Sequence, residues 1–69
     1  VLGDARAAVQ SATAGWAIQR EAADARILLD AALAARDRAA AAPVLAWMRR
    51  AAIDDVQLTR RRAAVEALP

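Results

Sequence analysis

Alanine occupies 23 of the 69 positions in this chain. It is the strongest helix former, and its methyl side chain lets two helix backbones approach closely. Alanine also adds little apolar bulk, so the hydrophobic fraction of 59% overstates the surface that the chain can bury. We therefore predict an all-α protein in which closely packed helices compensate for a shortage of large side chains.

The chain is short for a domain that folds alone. A domain of this size buries roughly 60% of the surface that its unfolded chain exposes, and small folds commonly add a disulfide, a metal ion or a partner chain. The sequence contains no cysteine and no histidine, so we expect no disulfide, no metal site and no cofactor. A partner chain is the remaining common route to stability. We expect a homo-oligomer, or a chain that docks onto a larger protein.

Proline marks the clearest boundary along the chain, after the four alanines at residues 39–42. Pro43 has no N–H to donate within a helix and disfavours helical geometry at the preceding residue, but it suits the first turn of a new helix. A short connection of this kind favours an antiparallel helical hairpin. The predicted elements are one domain over residues 1–69, a helix over about 4–40, a turn over 41–43 and a helix over about 43–67. The alternative is a single helix that is kinked at Pro43.

The two predicted helices differ in length, which affects the N-terminal part of the chain. A helix of about 25 residues is ~38 Å long, so the second helix would cover the first only as far as Gly15 or Trp16. Residues 1–14 would then overhang, or the chain would break at residues 13–15 to give a short third helix at the N-terminus. In either case we expect oligomerisation to complete a helical bundle.

Two sides of the first predicted helix carry large apolar residues, at positions calculated with 100° per residue. A two-helix hairpin buries only one face of each helix. We therefore expect one side to pack within the chain and the other to pack against a partner. The predicted interface residues are Val9, Trp16 and Ile27 on one side, and Ile18, Leu29 and Leu33 on the other.

Trp16 and Trp47 are the two aromatic residues of the chain. Tryptophan is enriched in binding hot spots, so we predict that both are interface anchors. The alternative is that each fills the core of the hairpin beside alanines. In an antiparallel hairpin the two would lie near opposite ends, and Trp16 is the stronger interface candidate because the cover from the second helix ends there.

All ten basic residues are arginine, the net charge is +2, and the excess lies in the second half of the chain. The candidate anion-binding residues are Arg49, Arg50, Arg60, Arg61 and Arg62. Such a cluster could contact the phosphates of nucleic acid or an anionic membrane surface. On a helix, however, three consecutive side chains point 100° apart, and no aromatic residue lies among these arginines to stack on bases. We favour solvated faces or docking to a protein partner, and nucleic acid remains the alternative.

The acidic and hydroxyl side chains offer little for catalysis. Asp54 and Asp55 are adjacent, but oxygen-ligated metal sites need several converging carboxylates, and helix-bundle sites normally combine Glu with His. We favour a surface role, or a role in fixing helix register opposite an arginine, for Asp55 and for Asp30. The hydroxyl groups have no histidine to activate them, and the chain has no glycine-rich phosphate loop. We therefore expect a protein without enzymatic activity.

The resulting hypothesis is a non-enzymatic helical module for protein–protein interaction or assembly, with an anion-binding accessory protein as the alternative. No run of residues approaches the ~20 apolar residues of a membrane span, so we expect no transmembrane segment. The alanine–arginine–aspartate composition resembles that of helical accessory proteins from GC-rich bacteria. The first residue is Val1, which is typical of a processed product or an excised domain.

Overall fold

The computed structural model describes residues 2–69, with side chains from residue 4 onward, and Val1 of the predicted domain lies outside the described residues. This part of the chain forms four α-helices and one short 3₁₀ helix, which confirms the all-α prediction. The elements in chain order are α1 (Leu2–Ile18), α2 (Ala22–Ala35), the 3₁₀ helix (Arg38–Ala41), α3 (Ala42–Ala51) and α4 (Val56–Glu66).

The structure corrects the predicted division into two long helices. The first is interrupted at residues 19–21 and again after Ala35, and the second is interrupted after Ala51. Residues 13–15, where a break was one of the two alternatives, lie inside α1. Pro43 is in the first turn of α3, as its missing N–H favours, but the segment before it is a 3₁₀ helix that leads directly into α3.

Two residues in the left-handed conformation end helices where the sequence has no glycine. Arg36 and Ala52 both have φ of 51°. At each position the next residue's N–H bonds to the carbonyl five residues back, from Asp37 to Ala32 and from Ile53 to Met48, at 2.9 and 3.1 Å. This is the hydrogen bond of a Schellman motif, a common helix ending that usually has glycine at the left-handed position. The missing glycines are the reason that these two ends were not predicted.

Aspartate side chains begin two of the helical segments. Asp55 Oδ1 accepts hydrogen bonds from the N–H groups of Gln57 and Leu58, at 2.9 and 3.1 Å, and so caps α4. Asp37 Oδ1 accepts from the N–H of Ala40, at 3.2 Å, and caps the 3₁₀ helix. Asp55 therefore has a local structural role, which differs from the predicted role in packing register.

The helix α2 lies between α1 and α4. Gly15 of α1 shares a groove with Ile27 near the start of α2, whereas Val9 shares a groove with Ala35 at its end. The helices α1 and α2 therefore run in opposite directions.

The helices α2 and α4 run in the same direction. Arg26 hydrogen-bonds to Gln57, and Asp30 accepts from Arg61, so both pairs join residues 31 positions apart. The Arg61 Nε to Asp30 Oδ1 distance is 2.7 Å. Asp30 thus pairs with an arginine of a neighbouring helix, but its side chain is 53% exposed, so the two residues form a surface ion pair and not a buried one.

The core is a single cluster centred on α2. Its fully buried large side chains are Leu28, Leu29, Val44, Met48, Leu58 and Val65. Trp16 is also buried, and its ring meets that of Trp47 edge-on with centroids 5.1 Å apart. The two tryptophans are therefore neighbours and do not lie at opposite ends of a hairpin. Such an edge-to-face pair contributes about 0.5–1.5 kcal/mol beyond its buried area, and it ties α1 to α3.

Candidate interaction surfaces

Two large apolar side chains are exposed on one side of the α1–α2 pair. Ile18, at the end of α1, is 88% exposed, and Ile27 on α2 is 53% exposed. Ile18 lies three residues after Gly15 and seven after Ser11, so these three residues lie on the same side of α1. We call the exposed residues of this side the α1–α2 surface, and its members are Ala7, Ala8, Ser11, Gly15, Ile18 and Ile27.

An open groove of about 370 Å³ runs along the α1–α2 surface, lined mainly by small residues of α1 and by Ile27, with Asp24 at its edge. A Cβ atom added at Gly15 would have no neighbouring atom within 4 Å. The glycine is therefore not needed for packing within the chain. It leaves a shallow depression that another helix could approach closely.

The opposite edge of the α1–α2 pair is polar. Its groove is lined by Arg6, Gln10 and Asp37, together with Val9 and Ala35. The exposed part of α1 is therefore asymmetric, because small apolar residues lie on one edge and charged or amide side chains lie on the other.

Most of the predicted interface residues belong to the chain's own core. Leu29 and Trp16 are buried, and Val9, Leu33 and Trp47 are half-buried against the core cluster. They are covered because α2 is enclosed by α1 on one side and by α4 on the other, whereas the hairpin prediction left one side of the first helix open. Of the seven residues predicted from sequence, Ile18 and Ile27 are the ones that are exposed in the folded chain.

The candidate anion-binding arginines have separate environments. Arg61 is paired with Asp30 and also donates to the backbone carbonyl of Gln57, at 3.1 Å. Arg50 and Arg60 are exposed. They take no part in this ion pair, and they do not line the cleft described in the next paragraph. The five arginines therefore do not act as one cluster.

Arg49 and Arg62 do come together, and they are joined by an arginine that the sequence did not single out. Arg38 of the 3₁₀ helix, Arg49 of α3 and Arg62 of α4 line one cleft of about 300 Å³, whose other lining residues are Leu45 and Glu66. We call it the arginine cleft. No local sequence signal marks Arg38, because its approach to Arg62 depends on how α4 packs against the 3₁₀ helix.

The described residues contain no group of three or more acidic side chains positioned to hold a metal ion. Asp55 is occupied as a helix cap, and Asp30 by Arg61. The hydroxyl groups of Ser11, Thr13 and Thr59 are on exposed residues. Among the side chains of residues 4–69, no buried nitrogen or oxygen lacks a hydrogen-bond partner.

None of the helices within the described range is both long and apolar enough to cross a membrane. Comparisons of the chain with protein-family models, with curated proteins and with solved structures find no match.

Proposed function

We propose that this chain is a non-enzymatic helical assembly module that binds a second copy of itself through the α1–α2 surface. The observation that carries this proposal is the 88% exposure of Ile18 beside the open stripe of small residues at Gly15. A fully exposed isoleucine is not unusual alone. Here it lies next to a groove, on the apolar edge of the helix pair.

The α1–α2 surface is complementary to itself. Ala7, Ser11 and Gly15 are spaced four residues apart along α1, and helices with such small residues can cross at close range. Ile18 supplies a projecting side chain one turn beyond Gly15. A two-fold axis near Ser11 and Gly15 places the projecting side chain of each copy toward the small residues of the other, which is the reciprocal contact that a symmetric dimer needs.

The accessible surface area of the chain is slightly larger than that of a typical compact monomer of its mass, which is compatible with burial of more surface in a dimer. The chain exposes 4583 Å², whereas a compact monomer of 7.3 kDa exposes about 4,200 Å². The Cα radius of gyration of 11.0 Å equals the about 11 Å expected for 69 residues. The backbone is therefore as compact as that of a folded domain of this length, while the accessible area is slightly larger than expected.

The expected dimer is weak. Burying an exposed isoleucine contributes about 1.5–3 kcal/mol, and a symmetric dimer buries Ile18 and Ile27 twice. Association costs an estimated 4–15 kcal/mol in lost freedom, so only a small surplus remains. We expect a dissociation constant in the micromolar range or weaker.

Sedimentation or light scattering over about a hundredfold concentration range centred on micromolar values tests the proposal. The wild-type chain should shift from monomer to dimer, with little effect of salt because the contact is apolar. Ile18→Ser should move this transition to higher concentration. The matched control is Val56→Ser, since Val56 is 67% exposed and belongs to α4, outside the α1–α2 surface.

Gly15→Leu separates dimerisation from folding. Leucine is a better helix former than glycine, and no atom lies within 4 Å of a Cβ atom placed at this position, so the monomer should be at least as stable as wild type. The same side chain should block close approach at the dimer axis and weaken association. A wild-type chain that stays monomeric throughout the range, or equal effects of Ile18→Ser and Val56→Ser, would overturn the proposal.

A further inference from the structure

The arginine cleft gathers three guanidinium groups from three different elements. Arg38 begins the 3₁₀ helix, Arg49 is in the last turn of α3, and Arg62 is in the second half of α4. Like charges repel, so their convergence is unfavourable unless something compensates for it. Glu66 compensates for one of them, because its carboxylate lies 3.5 Å from Arg62 Nε.

Arg38 and Arg49 have no acidic partner within 4 Å in the part of the chain that the structure describes. The cleft consequently holds three positive charges and one negative charge. By contrast, the guanidinium of Arg61 is already occupied by Asp30 and Gln57.

We propose that the arginine cleft binds a phosphomonoester dianion. Planar guanidinium groups bind phosphate oxygens in pairs, and a tetrahedral phosphate presents more than one edge to the two unpaired arginines. A single carboxylate presents one edge and carries half the charge. The cleft is independent of the α1–α2 surface, so this inference stands or falls separately from the proposed dimer.

The size of the cleft restricts the ligand. A volume of about 300 Å³ is at the lower end of the range for small-molecule sites, which suits a phosphate group with a small organic substituent. Leu45 gives that substituent an apolar wall. An extended nucleic-acid backbone fits less well, because Arg50 and Arg60 do not continue the cleft into a basic track.

Two groups oppose an anion in this cleft. The first is the carboxylate of Glu66. The second is the C-terminal end of α3, next to Arg49, because the helix dipole is negative there. Removing the charge of Glu66 should therefore strengthen binding. This gain in binding, compared with the effect of removing an acidic charge elsewhere in the chain, distinguishes a specific site from general attraction to a basic protein.

The probes are inorganic phosphate, glycerol 3-phosphate and acetate, titrated by calorimetry and by NMR at a salt concentration that screens isolated charges. The two phosphates should perturb the resonances of Leu45 and the cleft arginines, and acetate should bind more weakly. Vesicles that contain phosphatidic acid are compared with vesicles that lack it. If only the former bind, and bind more tightly than glycerol 3-phosphate, the phosphomonoester is a lipid headgroup.

Charge-matched variants supply the decisive comparison. Arg38→Gln with Arg49→Gln should weaken phosphate binding by about tenfold or more. Arg50→Gln with Arg60→Gln removes the same net charge outside the cleft and should have little effect. All four residues are exposed, so these variants should remain folded, and circular dichroism verifies this.

Glu66→Gln should tighten phosphate binding about threefold or more, whereas Glu21→Gln, which changes the net charge equally outside the cleft, should not. Absence of phosphate binding to the wild-type chain would overturn the proposal. Equal losses in the two double arginine variants, or acetate binding as tightly as phosphate, would do the same.

Discussion

Glycine substitution at Ala52 and Arg36 should stabilise the protein, because both residues are held in the left-handed conformation at helix ends. A non-glycine residue pays roughly 1–2 kcal/mol for this conformation, and glycine removes that cost while adding about 0.5–1 kcal/mol of unfolded-state entropy. The net gain in the free energy of unfolding should be about 0.5–1 kcal/mol for each substitution. Both positions are exposed, so little packing changes.

The two sites lie at the ends of different helices, so their effects should add to about 1–2 kcal/mol in the double variant. For a domain of this size, each 1 kcal/mol raises Tm by about 4–8 °C. Circular dichroism at 222 nm, followed through thermal and urea unfolding, measures the change. Arg36→Ala is the control, because alanine keeps the strain while removing the arginine side chain, and it should leave stability nearly unchanged.

The sign of the effect also tests the four-helix architecture. If residues 4–40 and 43–67 formed two continuous helices, Ala52 and Arg36 would be interior positions, and glycine would cost about 1 kcal/mol at each. A double variant that is less stable than the wild type would therefore refute the assignment of helix ends at these residues. Ala51→Gly, inside the last turn of α3, should be destabilising.

Two further substitutions test the cap of α4 and the core. Asp55→Ala should lower the free energy of unfolding by about 1 kcal/mol, since it removes both capping hydrogen bonds. The exposed Asp54, which makes no such bond, should tolerate alanine within about 0.5 kcal/mol. Leu28→Ala should lower the free energy of unfolding by about 2–5 kcal/mol because Leu28 is fully buried. Leu68→Ala should lower it much less, because Leu68 is only half-buried. Urea unfolding measures both changes, and equal losses would contradict the placement of the core.

Composition and periodicity were enough to predict an all-α fold, because alanine favours helix everywhere in the chain. They could not place the helix ends. Residues 19–21 contain neither glycine nor proline, and Glu21 begins α2 without a side-chain cap. The reversal there follows from the burial of Trp16 and Ala25 in one core, which is a tertiary effect that no local signal records.

The candidate surfaces show the same division between local and tertiary information. Arg49 and Arg62 were recognisable as basic residues, but their meeting with Arg38 depends on the approach of α4 to the 3₁₀ helix. The sequence analysis placed Ile18 and Leu29 on one side of the first predicted helix and did not decide which side packs within the chain. In the structure Ile18 is exposed and Leu29 is buried, because the break between α1 and α2 changes the relation of their faces.

That break also explains why the surplus apolar surface lies on α1. Once the chain reverses at residues 19–21, α2 is enclosed by α1 and α4 and has little apolar surface left for a partner, apart from Ile27. The helix α1 packs on α2 along one side, through Val9, Ala12 and Trp16. Its small residues then have no counterpart in the same chain. A short alanine-rich sequence can fold in this way, but it leaves one close-packing edge unused, and this is the edge to which we propose that a second copy binds.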